Sequence, residues 1–189
     1  MLDRFEMSDV SGAGIGHEFG GRFRNQRKGR GERPITTDHY LHCIFKAEVQ
    51  GLPQESLRRN PVGDLLRFQL WKYALKFYIQ IDEHSVQNTH VHLLLKCNVE
   101  ENMIAFLRVF PGQVAQSLTR SGFVVTDTPK KGKKKKLRLW IQRPYTRWVV
   151  TENDYIAVKR YIQKNEMEAL GVLNVGDRYP KNRDPMKKI

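Results

Sequence analysis

Thr89-His90-Val91-His92-Leu93-Leu94-Leu95 is the stretch on which the reading of this chain turns. Its apolar density suits a buried β-strand, and the side chains of a strand alternate across the sheet. His90 and His92 therefore leave one face together, about 6–7 Å apart along the chain. Val91 points the other way, toward a core. Neutral imidazole is a common ligand for divalent metals, and two of them leave positions open for substrate oxygens and water. The plainer alternative is a pair of ordinary strand histidines satisfied by their surroundings.

Working outward, residues 40–49 also read as a strand, with Leu41, Cys43, Phe45 and Ala47 on one face and Gly51-Leu52-Pro53 ending it. Residues 64–75 read as a helix, since Leu65, Phe68, Leu70, Trp71 and Leu75 recur at near-helical spacing. Residues 77–81 are a short strand candidate. Asn98 with Glu101 has the form of a helix cap, and Met103, Phe106, Leu107, Phe110, Val114 and Leu118 carry that helix to about Arg120. Pro111 predicts a break or kink near its middle. Residues 122–125 and 137–142 read as paired strands. Thr151 to Asp154 fits a capping box before a last helix over 152–170, which Gly171 stops. Strands and helices in this order predict an α+β fold, with helices packed on one antiparallel sheet.

The chain has 189 residues, enough for one compact domain with tails. Its 33 Lys and Arg against 20 Asp and Glu leave +13, an excess that points to a polyanion. A membrane surface is the weaker choice: no apolar run approaches the roughly 20 residues of a span. The first ten residues carry Asp3, Glu6 and Asp9 and lack the apolar stretch of a signal peptide. Cys43 and Cys97 form no CxxC pair and read as buried, reduced thiols. The expectation is a cytoplasmic, DNA-associated protein. The expected division is a Gly/Arg-rich basic arm over residues 1–35, one folded domain over 36–175 and a basic tail over 176–189.

The last helix carries Tyr161 and Asn165, four residues apart and so one turn apart on one face. The Asn165 amide oxygen suits a third hard ligand, and the Tyr161 hydroxyl suits attack on a phosphate held by the metal. A free phenol ionises near ~10, so attack at neutral pH needs help from the metal or from bases such as Lys159, Arg160 or Lys164. Tyr155 is an alternative nucleophile. The plain alternative for Tyr161 is packing beside Val158 and Ile162.

At this point a resemblance carries the reading further. Residues 86–95 resemble the His-hydrophobic-His strand, or HUH motif, of single-tyrosine transposases. Leu139-Trp140-Ile141-Gln142-Arg143-Pro144-Tyr145, followed by Tyr161-Ile162-Gln163-Lys164-Asn165, is similar to their closing segment. There a Trp-x-x-Arg strand leads to a helix bearing Tyr-Ile-x-x-Asn. The REP-associated tyrosine transposases resemble it most, and they often begin with a Gly/Arg-rich arm. The likeness runs from about Gly20 to Leu173. It implies a ferredoxin-like antiparallel sheet with the HUH motif on a central strand, Mg²⁺ or Mn²⁺, and attack by tyrosine on single-stranded DNA. The products are a 5′-phosphotyrosine and a free 3′-hydroxyl. By motif position His90, His92 and Asn165 match the metal ligands and Tyr161 the nucleophile. Three departures matter: Thr89 separates Asn88 from the first histidine, which predicts a small bulge or shift before the site; Glu166 follows Asn165 as a rival third ligand; and the lysine loop at 130–136 exceeds what the resemblance implies.

DNA contacts follow from charge. Lys130, Lys131, Lys133, Lys134, Lys135 and Lys136 crowd one exposed loop and suit phosphate neutralisation. Arg22, Arg24, Arg27, Lys28 and Arg30 of the arm, with Arg143, complete the candidate DNA-binding set. Trp140, Tyr145 and Trp148 are either stacking platforms or core residues. The expected partner is single-stranded or hairpin DNA, with either a homodimer or a monomer as the working unit. Two alternatives stay open: a replication initiator or relaxase-type nickase, and a non-catalytic nucleic-acid binder on the same fold. The second lacks the aromatic sheet pattern of an RNA-recognition module.

Overall fold

A computed structural model describes residues 35–123, 139–141 and 143–173, together with the backbone of residues 19–20. In chain order the elements are β1 (Phe19–Gly20), β2 (Tyr40–Lys46), α1 (Val62–Lys76), β3 (Gln80–Val86), β4 (His90–Lys96), α2 (Glu100–Arg120), β5 (Tyr145–Val149) and α3 (Glu152–Ala169). The sheet runs β1-β5-β2-β4-β3, every pair antiparallel. Without the two-residue β1, the order β5-β2-β4-β3 with helices after β2 and β4 is the ferredoxin-like arrangement.

Alternation along the strands divides the sheet into two unlike faces. Leu41, Cys43, Phe45 and Ala47 share a core with Val91, Leu93 and Leu95, covered by Leu66 and Leu70 of α1 and by Met103, Phe106 and Phe110 of α2. The opposite face carries a smaller cluster, Leu94 and Val149 with Val158 and Ile162 of α3. Among the described residues two helices thus seal one face, and the last helix alone covers the other. A ferredoxin-like sheet leaves that second face open, so what α3 carries decides what the face does.

Several local expectations are corrected. The buried stripe of α1 is Val62, Leu66, Leu70, Tyr73 and Ala74, whereas Phe68, Trp71 and Leu75 are 62%, 51% and 80% exposed. Both sets keep helical spacing, and only the position of α2 and the sheet chooses between them. The α2 cap falls on Val99 with no side-chain hydrogen bond, so Asn98 does not cap it. The helix runs unbroken through Pro111, because its buried residues on both sides of the proline belong to one core and hold it as a single element.

The expected pairing of residues 122–125 with 137–142 falls largely outside the described residues. Gly122 lies in a turn with φ +71°, and Trp140 makes a single bridge to Ala47 instead of a strand. Residues 124–138 and Gln142 lie outside the described residues. The strand that joins the sheet is β5, which starts eight residues after the expected start at 137, with Tyr145, Trp148 and Val149 supplying its β-favouring side chains. The bulge expected at Thr89 is absent. Thr89 sits instead in the β3–β4 turn, which Gln87 N closes on His90 O at 2.8 Å, and its carbonyl accepts from Ala47 N at 2.9 Å, in line with the β2–β4 register. The register shift lies in β3, between Ile81 and Glu83.

Candidate active site

β4 is a central strand, paired with β2 on one side and β3 on the other. Its parity puts Val91, Leu93 and Leu95 in the main core and turns His90 and His92 to the α3 side. The two ring centroids are 4.8 Å apart and nearly perpendicular. His92 is 1% exposed and His90 half-buried, with Thr89 Oγ1 3.0 Å from His90 Nδ1.

A third imidazole joins them. His42 of β2 is buried, and its Nε2 lies 3.3 Å from His92 Nδ1, the rings stacked at 5.5 Å. Sequence reasoning missed it. The one available signal was parity: with Leu41 and Cys43 on the core face, His42 had to occupy the other. That it meets His92 depends on the β2–β4 register, in which His42 faces Leu94 and Ile44 faces His92. Burial, and then the Arg147 guanidinium, pull the His42 imidazole down from 6.5 to about 3. Burial, followed by its two histidine neighbours, holds His92 well below the ordinary value. Both rings are therefore neutral near pH 7, the state in which imidazole ligates metal. His92 Nε2 is buried without a hydrogen-bond partner among the described residues.

α3 begins at a cap in which Thr151 Oγ1 accepts from Asp154 N at 3.2 Å. Arg147 adds an ion pair to Asp154, fastening the start of the helix to β5. From that start the helical repeat brings Val158, Ile162 and Asn165 inward. Tyr161 is carried beside them: its ring stands edge-on to His92 at 5.3 Å and to His42 at 6.4 Å. Asn165 is 9% exposed. Its Nδ2 donates to Tyr161 O at 2.9 Å, and its own carbonyl accepts from Gln87 Nε2 at 2.8 Å. The amide nitrogen is committed, and the side-chain oxygen is left as the group with ligand chemistry.

Neighbouring groups that the sequence left as rivals have other engagements. Both Glu166 oxygens accept from Arg58 at 2.9 Å, and Ser85 Oγ donates to one of them at 2.9 Å. Burial alone would raise this carboxyl, but those hydrogen bonds and the Arg58 charge hold it below its ordinary value. Tyr155 Oη donates to Asp82 at 2.9 Å and its ring packs against Tyr40 at a tilt of 39°, while Lys159 spans Asp82 and Tyr155. Those bonds, to Tyr155 first and then Asp82, raise the Lys159 pKa. Lys159 thus serves Tyr155 and Asp82. Among the described residues no group of three or more His, Cys, Asp or Glu side chains is arranged so that it could hold a metal ion, the three clustered histidines included.

Of the candidate DNA contacts, Arg143 is exposed just before β5. The arm residues Arg22, Arg24, Arg27, Lys28 and Arg30, and the lysines of 130–136, lie outside the described residues. Trp140 packs against Phe45 and donates to Pro111 O at 2.7 Å, which makes it structural. Trp148 faces the main core opposite Leu41, and Tyr145 shares the histidine face opposite Ile44. α3 covers part of the face on which an RNA-recognition module would stack bases.

Comparison with known proteins agrees with this geometry at the level of fold. The solved structure of a REP-associated tyrosine transposase bound to a REP hairpin aligns with a TM-score of 0.56 and 14% identity over 80% of each chain. The chain has the fold of a REP-associated tyrosine transposase. A second solved chain, from Deinococcus radiodurans R1 and provisionally assigned as a transposase, aligns with a TM-score of 0.45. It is 22% identical over 74% of this chain and 98% of its own. No protein-family model and no curated protein matches the sequence. The tyrosine-transposase fold is built here from the described residues, among which no helix is long and apolar enough to cross a membrane.

Proposed function

We propose that this chain is a metal-dependent single-stranded DNA endonuclease and strand transferase of the REP-associated tyrosine transposase type. Its substrate in this reading is a hairpin-forming repeat, as the hairpin bound by the neighbouring transposase suggests. One observation carries the proposal. On the face left to α3, a tyrosine ring stands 5.3 Å from one of two strand histidines whose own rings are 4.8 Å apart.

The donor set fits Mg²⁺ or Mn²⁺. His92 Nε2 is a buried imidazole nitrogen without a hydrogen-bond partner among the described residues, His90 lies beside it, and Asn165 brings an amide oxygen on the covering helix. His90, His92 and Asn165 would hold the cation, which when bound polarises the phosphoryl oxygen as a Lewis acid. The protein's own part is positioning. The sheet fixes the imidazoles, and α3 holds Tyr161 over them. The Tyr161 oxygen forms a bond to phosphorus as the bond from phosphorus to the 3′ oxygen breaks. The phenolic proton leaves Oη and the 3′ oxygen gains one, so protons balance and the phosphodiester charge is kept. Reversal rejoins the strand.

The test is a labelled single-stranded hairpin incubated with the full chain and Mg²⁺ or Mn²⁺, then run on a denaturing gel. The expected result is a covalent protein–DNA band that chelator removes and that Tyr161→Phe lowers about a thousandfold or more. DNA retention on a native gel without any covalent band, in either metal, would refute the proposal in favour of simple binding.

A further inference from the structure

We infer that His42 is a positioning residue of this site: its Nε2 accepts the His92 Nδ1 proton and so turns a bare His92 Nε2 lone pair toward the ligand position. The observations are geometric. The two nitrogens are 3.3 Å apart, the rings stacked at 18°, and both side chains are buried. Two tautomers satisfy that contact. If His42 donated, the His92 proton would sit on Nε2, leaving a buried N–H that no described group accepts. If His92 donates, Nε2 carries only a lone pair, which a cation or water can satisfy. A ligating histidine characteristically donates its other ring N–H to a neighbour that fixes its tautomer and orientation. Here the acceptor is an imidazole of the adjacent strand instead of a carboxylate or carbonyl.

The same ring reaches the nucleophile. His42 stands edge-on to Tyr161 at 6.4 Å, so one side chain of β2 underlies both the proposed ligand and the proposed attacking phenol. The cost of this arrangement is a polar ring buried within a sheet, which an apolar residue of similar size would avoid. The inferred metal-holding consequence rests on the function proposed above; the tautomer does not.

Nitrogen-15 NMR of histidine-labelled, metal-free full-length protein tests the tautomer directly. We expect His92 to carry its proton on Nδ1. In His42→Phe, which keeps the ring volume but removes the acceptor, the proton should move mainly to Nε2, the form a free imidazole prefers. Mn²⁺ binding, read by electron paramagnetic resonance, should weaken about 10- to 100-fold in His42→Phe. His42→Gln, whose amide oxygen accepts, should lose less. Should His42→Phe fail to fold, His42→Gln and the wild-type tautomer still decide. A His92 proton on Nε2 in the wild type overturns the inference whatever the enzyme does. So does unchanged Mn²⁺ affinity in a folded His42→Phe. The correct tautomer with no Mn²⁺ binding that depends on His90 leaves the tautomer standing and overturns the functional proposal instead.

Discussion

A buried neutral imidazole has two consequences that can be measured at the level of single residues. The unfolded chain takes up protons on His42 and His92 near the ordinary value of 6.5, whereas folded His42 does so only near about 3. Between these values the unfolded state binds more protons, so stability is fully present above about 6.5 and declines as pH falls. Each such histidine contributes a slope of about 1.4 kcal/mol per pH unit. Urea unfolding of metal-free protein should therefore show a shallower loss between pH 6.5 and 5 in His42→Gln than in the wild type. Parallel profiles would mean that His42 is not buried as a neutral ring. The proposed ligands make a separate prediction. His90→Ala or His92→Ala should abolish cleavage and leave most DNA affinity, because under the proposed function that affinity would rest on basic groups elsewhere. Equal losses of both in a filter-binding assay would contradict it.

At the scale of the element, α3 is the part on which the site depends, and it is held at both ends. Thr151 and the Arg147–Asp154 pair secure its start. Its far end is tied by the Arg58–Glu166 pair, by Ser85, and by Gln87 bonding the Asn165 carbonyl. The Arg58 side chain is 13% exposed and that of Glu166 33%, so the pair is neither fully screened nor fully buried. Glu166→Gln should cost about 1–2 kcal/mol in urea unfolding, less than a sealed pair would. It should also slow cleavage more than it weakens DNA binding, since Asn165 is the adjacent residue. An unchanged unfolding midpoint would show that the clamp adds nothing. The apolar counterpart is Phe110 of α2, fully buried between Phe45 and Phe106. Phe110→Ala should cost about 3–5 kcal/mol.

For the whole molecule the governing quantity is the net charge of +13. Under the proposed function, a chain so basic would meet DNA first through phosphates, by a term that is blind to sequence and steep in salt. Neutralising the six lysines of 130–136 should weaken binding by a similar factor for matched and unmatched strands and flatten the dependence of log affinity on log salt. A slope unchanged in the variant would move the contact to the arm or to other surfaces.

Strand parity, helical periodicity and charge are local properties, and the sequence by itself determined what rests on them. These are the α+β order of elements, the shared face of His90 and His92, the Thr151 cap, and the one-turn spacing of Tyr161 and Asn165. Register and packing phase are not local. Which of two helical stripes α1 buries, that β5 pairs with β2, and that His42 lies against His92 all depend on partners distant in sequence. Glu166 shows the same limit. Beside Asn165 in sequence it has the chemistry of a ligand, but Arg58, 108 residues away, takes both its oxygens. Only the folded sheet, by bringing those partners together, chooses among arrangements that the sequence allows equally.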